Sequence, residues 1–214
     1  MAKTGSLRNK KVLITCGPTW VAIDNVRVIS NRSTGQMGHL LAGEFIHSGA
    51  KVTLLEGPCI DFFAAKGLTV QKFRFYDELR NLLKKELKKR FDIIVHAAAV
   101  SDYRLKNPYR GKLRSGLAKL NLVLVPTSKI INKIRKLAPK ATLVGFKLEP
   151  THNLPGLRKK AMELINQANC DLVVANSLKN NYHGLIISGE GKILASAASR
   201  EGLAKQLINV LKDF

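Results

Sequence analysis

"NRSTGQMGHLLAGEFIHSGAKVTLLEGP", residues 31–58, decides the fold. Apolar residues at Met37, Leu40, Leu41, Phe45 and Ile46 recur at the helical period, and the pattern stops at Gly49. "KVTLLEGP" then reads as a strand ended by Gly57-Pro58. Just ahead of the helix, "VRVISNRSTGQMG" (26–38) places Asn31, the hydroxyls of Ser33 and Thr34, and two glycines, Gly35 and Gly38. Backbone N–H groups at such a helix start can face a phosphate without a Cβ in the way. The same glycines can equally serve only a tight turn and close helix packing, and spacing alone does not separate the two readings.

Working outward, the unit repeats. "KKVLIT" is a short β-branched run closed by Cys16-Gly17-Pro18-Thr19, a strand and its loop. "LTVQKFRF", "DIIVHAAAVSDY", "KLNLVLVPT", "ATLVGFKLE" and "DLVVANS" read as further strands, and "GLIISGEGKILAS" as a hairpin around Gly189-Glu190-Gly191. "YDELRNLLKKELKKRF", "SKIINKIRKLA", "LPGLRKKAMELINQANC" and "SREGLAKQLINVL" read as helices, the last with Ser199 as its N-cap. Strand alternating with helix throughout predicts an α/β fold, a predominantly parallel sheet with helices on both faces. No linker, repeat or low-complexity tract divides the chain, so residues 1–214 are expected to form a single domain. The exception is "YRLKNPYRGKLRSGLAK" (103–119), polar, basic and Gly/Pro-punctuated, which reads as a basic flap.

Bulk properties bound the function. No apolar run approaches the ~20 residues a membrane span needs, and the N-terminus has no signal-peptide pattern. Three cysteines (Cys16, Cys59, Cys170) without CxxC spacing argue against a disulfide framework or a zinc site and suit a reducing cytoplasm. The net charge of +21 is the unusual value. It suits nucleic-acid binding, a solvated basic surface, or an active site that gathers phosphates and carboxylates. Between Tyr103 and Leu148 there are 12 Lys or Arg and no Asp or Glu, so the charge is regionally concentrated.

In an open α/β sheet, ligands bind at the carboxyl ends of the strands. The candidate loops are therefore Gly17–Val21, Ala97–Asp102, Phe146–Glu149 and Asn176–Leu178, with the 26–38 stretch beside them. The G-x-G-x-x-G fingerprint of a dinucleotide fold is missing, as is a Tyr-x-x-x-Lys pair, which counts against an NAD(P)-dependent oxidoreductase. The five histidines form no ligand pattern along the chain, and Ser33 has no evident His/Asp partner for a hydrolytic triad.

Taken in order, "CGPT", "IDNVRVISNRSTGQMGHLLA", "AAAVSDYR", "GKLR", "LVPTSKII", "VGFKLE" and "DLVVANSL" resemble the phosphopantothenoylcysteine synthetase family of coenzyme A biosynthesis, from about Lys10 to the C-terminal helix. The resemblance implies a Rossmann-like fold, a homodimer, and a ligase joining 4′-phosphopantothenate to L-cysteine through an acyl-nucleotide. CTP is favoured over ATP, with Mg²⁺ accompanying it. About ten residues precede the matching region, so a fused flavin-dependent decarboxylase and its FMN are not expected, and a separate decarboxylase is the implied partner. Nucleic-acid binding becomes a minor alternative.

Position by position, the resemblance makes Asn31 the catalytic carboxamide and Arg27 a residue reaching the phosphopantothenate of the neighbouring subunit. Gly17, Ser33, Gly35, Gly38, Phe146 and Asn176 fall on nucleotide-binding positions. Ala98, Ala99 and Asp102 fall on the loop between nucleotide and phosphopantothenate. Lys112 falls on the first flap lysine, which makes it a second catalytic residue and a nucleotide contact, and Ser128, Lys129, Ile130 and Ile131 fall on a segment near base and ribose. Lys160, with Lys159 as the alternative, is expected to contact the phosphates. The chain departs from the family at Arg114, where the flap's second Lys is common, and at Ser128-Lys129, where a Pro-Asp pair is common. The segment after "VVANSLKNN" is also shorter than usual.

Overall fold

The computed structural model describes residues 6–59, 65–150, 153–177 and 182–214. Leu178, at the end of one candidate loop, and the short segment after it therefore lie outside the described residues up to Asn181. In chain order the elements are β1 (Lys11–Cys16), β2 (Trp20–Ala22), β3 (Val28–Ser30), α1 (Gln36–His47), β4 (Lys51–Glu56), β5 (Leu68–Lys72) and α2 (Tyr76–Glu86). There follow β6 (Ile93–His96), β7 (Tyr103–Leu105), β8 (Leu124–Pro126), α3 (Ile130–Leu137), β9 (Thr142–Glu149) and α4 (Leu154–Ala168). The chain closes with β10 (Leu172–Ser177), β11 (His183–Ser188), β12 (Ile193–Ala197) and α5 (Arg200–Asp213).

Eight strands form one sheet in the order β12-β11-β10-β9-β6-β1-β4-β5. From β5 to β10 all pairings are parallel, while β11 and β12 add antiparallel strands at one edge. The strand-helix alternation thus yields the expected Rossmann-like arrangement, and the Gly189–Gly191 hairpin closes the edge. Alternate strand residues feed two cores. Val12 and Ile14 pack with Leu41 and Phe45 of α1 and with Leu203 and Leu207 of α5. Leu13 points the other way, toward Leu79 of α2, Ile134 of α3 and Leu157 of α4. Truncating a fully buried ring such as Phe45 to alanine costs about 3–5 kcal/mol, so the layer above the 31–38 segment is firmly seated. Among the described residues no helix is long and apolar enough to cross a membrane.

Two small antiparallel ribbons depart from the sequence reading. The "WVAIDNVRVISNRS" stretch folds back on itself as β2–β3. The strand expected over "KLNLVLVPT" shrinks to β8, which pairs with β7 outside the main sheet. Its alternation fits a ribbon at the root of the flap as well as it fits a core strand. Helix α2 also stops at Glu86, earlier than its lysine-rich pattern implied. There Glu86 is buried and bound by the ammonium of Lys89 at 2.8 Å, and the Lys89 N–H folds back to the Glu86 carbonyl.

Candidate active site

β1 is followed in the chain by β4 and β5 on one side, after which the chain crosses back to β6 on the other. This reversal leaves a crevice at the carboxyl ends of β1 and β6. A cleft of about 600 Å³ opens there, of a size suited to a nucleotide-like ligand. Gly17, at φ +77°, turns the chain out of β1. Its carbonyl accepts the Ala99 N–H at 2.9 Å, which fixes the loop after β6 against it. The Ala99 carbonyl in turn accepts the Thr19 N–H at 3.2 Å and the Asn31 Nδ2–H at 3.1 Å. Asn31 therefore stands at the cleft wall with its amide nitrogen anchored and its Oδ1 left to accept from a ligand.

Two helices begin at this cleft without a side-chain cap. Gly35, left-handed at φ +79°, is the N-cap of α1, and extended Lys129 is the N-cap of α3. A lone weak contact from the Gln36 N–H to Thr34 Oγ1, at 3.4 Å, partly serves the first. Unsatisfied N–H groups and the positive end of the helix dipole are what an anionic oxygen meets there. The lining adds the cations Arg32, Lys129, Lys147, Lys160 and Arg200, against the carboxylate of Asp102. Three of these are paired with carboxylates, Lys129 with Asp102 at 2.6 Å, Lys147 with Glu149 at 3.2 Å, and Lys160 with Glu163 at 2.8 Å, and Arg200 lies 5.2 Å over the Tyr182 ring. The Glu163 carboxylate raises the pKa of Lys160, which keeps that ammonium charged. Tyr76 pins the α3 entry, its hydroxyl lying 2.7 Å from Ser128 Oγ and donating to the Ser128 carbonyl at 2.8 Å. His96 lines the floor, with Nδ1 2.8 Å from the Thr15 hydroxyl, and burial pushes its pKa down to about 4, so its imidazole is neutral at physiological pH.

The cleft brings together Asn31, Ser33, Gly35, Gly38, Ala98, Ala99, Asp102, Ser128, Lys129, Ile130, Ile131, Phe146, Lys160 and Asn176. Three expected residues lie outside its lining. Gly17 sits behind the wall, packed against Gly57 and the sulfur of Cys59, where it shapes the turn. Arg27 is engaged by the Asp24 carboxylate and donates to the Leu113 carbonyl at 3.3 Å. Lys112 is exposed on a flap strapped to the β2–β3 ribbon: Gly111 accepts from the Asn25 N–H at 3.1 Å, and the Leu113 N–H donates to Asp24 Oδ2 at 3.0 Å. Asp24 is the knot of this strap. The Leu113 N–H, followed by the N–H groups of Val26 and Arg27 and the Arg27 guanidinium, holds its carboxyl far below the usual carboxylate range. Sequence reading missed Asp24, Tyr76, Arg32, Lys147 and Arg200. For Arg200 a signal existed: Ser199 does cap α5, accepting the Gly202 N–H at 2.9 Å, which makes Arg200 the first helical residue.

Fold and site together define a doubly wound α/β protein with an anion-receptive cleft at the switch point of its sheet. The profile of one family, the DNA/pantothenate metabolism flavoprotein C-terminal domain, matches residues 7–213. The chain belongs to that family, as the motif resemblance implied. It is similar to the coenzyme A biosynthesis bifunctional protein CoaBC of Thermococcus kodakarensis, 42% identical over 176 residues that cover 81% of this chain and 43% of the relative. The corresponding CoaBC of Borreliella burgdorferi is 37% identical over 215 residues, covering 96% of this chain and 53% of the relative. The chain thus spans about half the length of the curated relatives it matches. Its fold is that of the DNA/pantothenate metabolism flavoprotein of Streptococcus pneumoniae, with TM-score 0.85 at 23% identity, covering 95% of this chain and 98% of that one. A Cab2 mutant solved in complex with phosphopantothenate-cysteine shares the fold at TM-score 0.75 and 23% identity, covering 96% of this chain and 87% of that one.

Proposed function

We propose that the chain is a phosphopantothenate–cysteine ligase that uses CTP. The observation that carries this reading is the pairing of an anchored carboxamide, Asn31, with the uncapped start of α1 and a cation-rich wall in one cleft. Two anions, a carboxylate and a nucleoside triphosphate, must meet before any bond forms, and their repulsion has to be offset. The α1 and α3 amides with Arg32, Lys147, Lys160 and Arg200 supply that positive field. The phosphopantothenate carboxylate then attacks the α-phosphorus, pyrophosphate leaves, and an acyl-cytidylate results. The cysteine amine attacks the acyl carbon, the bond to the bridging oxygen breaks so that CMP leaves carrying it, the nitrogen gives up a proton to solvent, and the amide remains. Asn31 Oδ1 accepts an N–H of the incoming amine, which aims its lone pair at the carbonyl carbon, while Nδ2 stays fixed on Ala99.

Asp102 fits Mg²⁺ arriving with the nucleotide, since that ion takes one or two carboxylates and otherwise phosphate oxygens and water. When bound, the ion would neutralise triphosphate charge. In this reading Arg27 acts across a homodimer, and Lys112 of the basic flap helps offset the repulsion between the two anions. In support, the β2–β3 ribbon that carries Arg27 exposes the apolar side chains of Val26, Val28 and Ile29. The discriminating experiment is a pyrophosphate-release panel with CTP and ATP, each with phosphopantothenate alone and with phosphopantothenate plus cysteine. Release that requires phosphopantothenate and prefers CTP is expected. Release with neither nucleotide, in a folded dimer supplied with Mg²⁺, would overturn the reading.

A further inference from the structure

Four metal-ligating side chains that are scattered along the chain converge directly under the cleft. Cys16 ends β1 and Glu56 ends β4, and the two are register partners in adjacent parallel strands. Cys59 follows on the Gly57-Pro58 turn, and His39 projects from the first turns of α1. The two sulfurs, a His39 ring nitrogen and a Glu56 oxygen all lie within 4.8 Å of one another. His39 Nε2 is 2.6 Å from Glu56 Oε1, and Lys72 stands 3.8 Å from the other oxygen of the same carboxylate.

Zinc prefers four nitrogen, sulfur and oxygen donors at about 2.0–2.3 Å in a tetrahedron, whose donor–donor edges are then about 3.3–3.8 Å. The separations here bracket that range, so shifts of about 1 Å or less, within rotamer adjustment, would close the four donors around an ion. Burial suits a closed site, with Cys16 and Glu56 at 1% and 3% exposure. The Lys72 ammonium offsets part of the negative charge that two thiolates and a carboxylate bring. Cysteine spacing along the sequence argued against zinc because the ligands come from three separate elements that only the sheet register and the α1 packing unite.

We propose that Cys16, His39, Glu56 and Cys59 bind one zinc-class divalent cation in a closed structural site. The ion braces the glycine turn of the cleft from below. Gly17 and Gly35 lie so close to the Cys59 sulfur that an added Cβ would come within 2.8 and 2.3 Å of it, and one at Gly38 within 2.2 Å of the Cys16 Cβ. The four donors therefore tie the ends of β1 and β4 to the first turns of α1, whose N–H groups face the cleft.

The test uses the full, tag-free chain, reduced, stripped with chelator and titrated anaerobically with Co²⁺ alone. One equivalent is expected to produce the intense visible bands of tetrahedral cobalt with near-ultraviolet thiolate charge transfer, and one equivalent of Zn²⁺ to abolish them. Cys59→Ala removes one of the two thiolates and should weaken both the charge-transfer band and the tetrahedral visible bands. The near-isosteric Glu56→Gln, a second route should Cys59→Ala fold poorly by circular dichroism, should weaken binding by at least about tenfold. Cys170→Ala, in the opposite core, should leave the spectrum unchanged. The proposal is overturned if the folded, reduced chain takes up no stoichiometric tetrahedral cobalt. It is equally overturned if the spectrum survives both Cys59→Ala and Glu56→Gln, or if the sole product is a Cys16–Cys59 disulfide whose reduction restores no metal uptake.

Discussion

Gly35→Ala should damage stability and the proposed nucleotide cradle together, by an amount the geometry allows to be divided. Gly35 sits at φ +79°, where an alanine costs roughly 1–2 kcal/mol against the left-handed backbone. Its new Cβ would also lie 2.3 Å from the Cys59 sulfur, so that sulfur or the helix start must move by more than an ångström. Overpacking of this kind adds about 1–3 kcal/mol. Gly67 provides the control: its φ is +89° and a Cβ there meets nothing within 4 Å, so Gly67→Ala should show the backbone cost alone. For a chain of this size about 2–4 °C of melting temperature accompanies each kcal/mol. Gly35→Ala should therefore melt on the order of 10 °C lower and Gly67→Ala only a few degrees lower. Placing Gly35→Ala in a Cys59→Ala background, with chelator present throughout, removes the sulfur and should recover about 1–3 kcal/mol in a double-mutant cycle. Thermal and urea unfolding supply the energies, and nucleotide titration reports the cradle. Equal destabilisation by Gly35→Ala and Gly67→Ala, or a cycle that shows no coupling to Cys59, would refute the packing argument.

Asn31→Ala should spare acyl-nucleotide formation to within about tenfold while slowing amine capture by about 10²–10³, the usual scale for one lost oriented hydrogen-bonding group. Single-turnover pyrophosphate release measured against amide formation separates the steps, and equal loss in both would remove the amine-aiming role assigned to Asn31. His96→Gln should change the acid sensitivity of the fold. Burial lowers the His96 pKa from 6.5 to about 4, so as pH falls below 6.5 the unfolded chain takes a proton that the folded chain refuses. Stability contributed above pH 6.5 is thereby lost progressively toward pH 4, by about 3 kcal/mol in all. Urea unfolding at several pH values should show the wild type losing that much more than His96→Gln over the interval, and parallel curves would contradict the burial argument.

The sheet was legible because both of its signals are local. Helical periods in α1, α3, α4 and α5 and β-branched runs in β1, β4, β6 and β10 each declare their element without reference to distant residues. The ribbon pairings were not legible: β8 reads as a strand but its partner does not, β2 and β3 are too short to show a period, and what fixes both pairings is tertiary. Asp24 illustrates this: in sequence it is an ordinary turn aspartate, yet it accepts the Leu113 N–H from 89 residues away. Most residues singled out by the motif resemblance line one cleft because they stand at strand ends and helix starts, which the fold must bring to one side of the sheet. Gly17 and Lys112 stand outside that lining for opposite reasons. Gly17 is held one layer behind the lining by its bond to Ala99, whereas Lys112 is drawn outward by the strap on Asp24.

The glycines of the 26–38 stretch carry the most general lesson. Spacing offered two readings for them, access for a phosphate or room for tight packing; the geometry shows the packing, and in the proposed function that packing is what makes the access possible. Gly35 and Gly38 lack a Cβ on the side that meets Cys59 and Cys16, so α1 can settle directly onto the ends of β1 and β4. That seating brings the uncapped N–H groups of α1 level with Ala98 and Ala99, into the crevice between β1 and β6. A larger residue at either position would lift the helix start away from the strand ends and carry its N–H groups with it. Close packing beneath the turn is therefore the cause of the anion-receptive surface above it, and a perturbation of the two sulfurs should be felt by whatever anion the cleft holds.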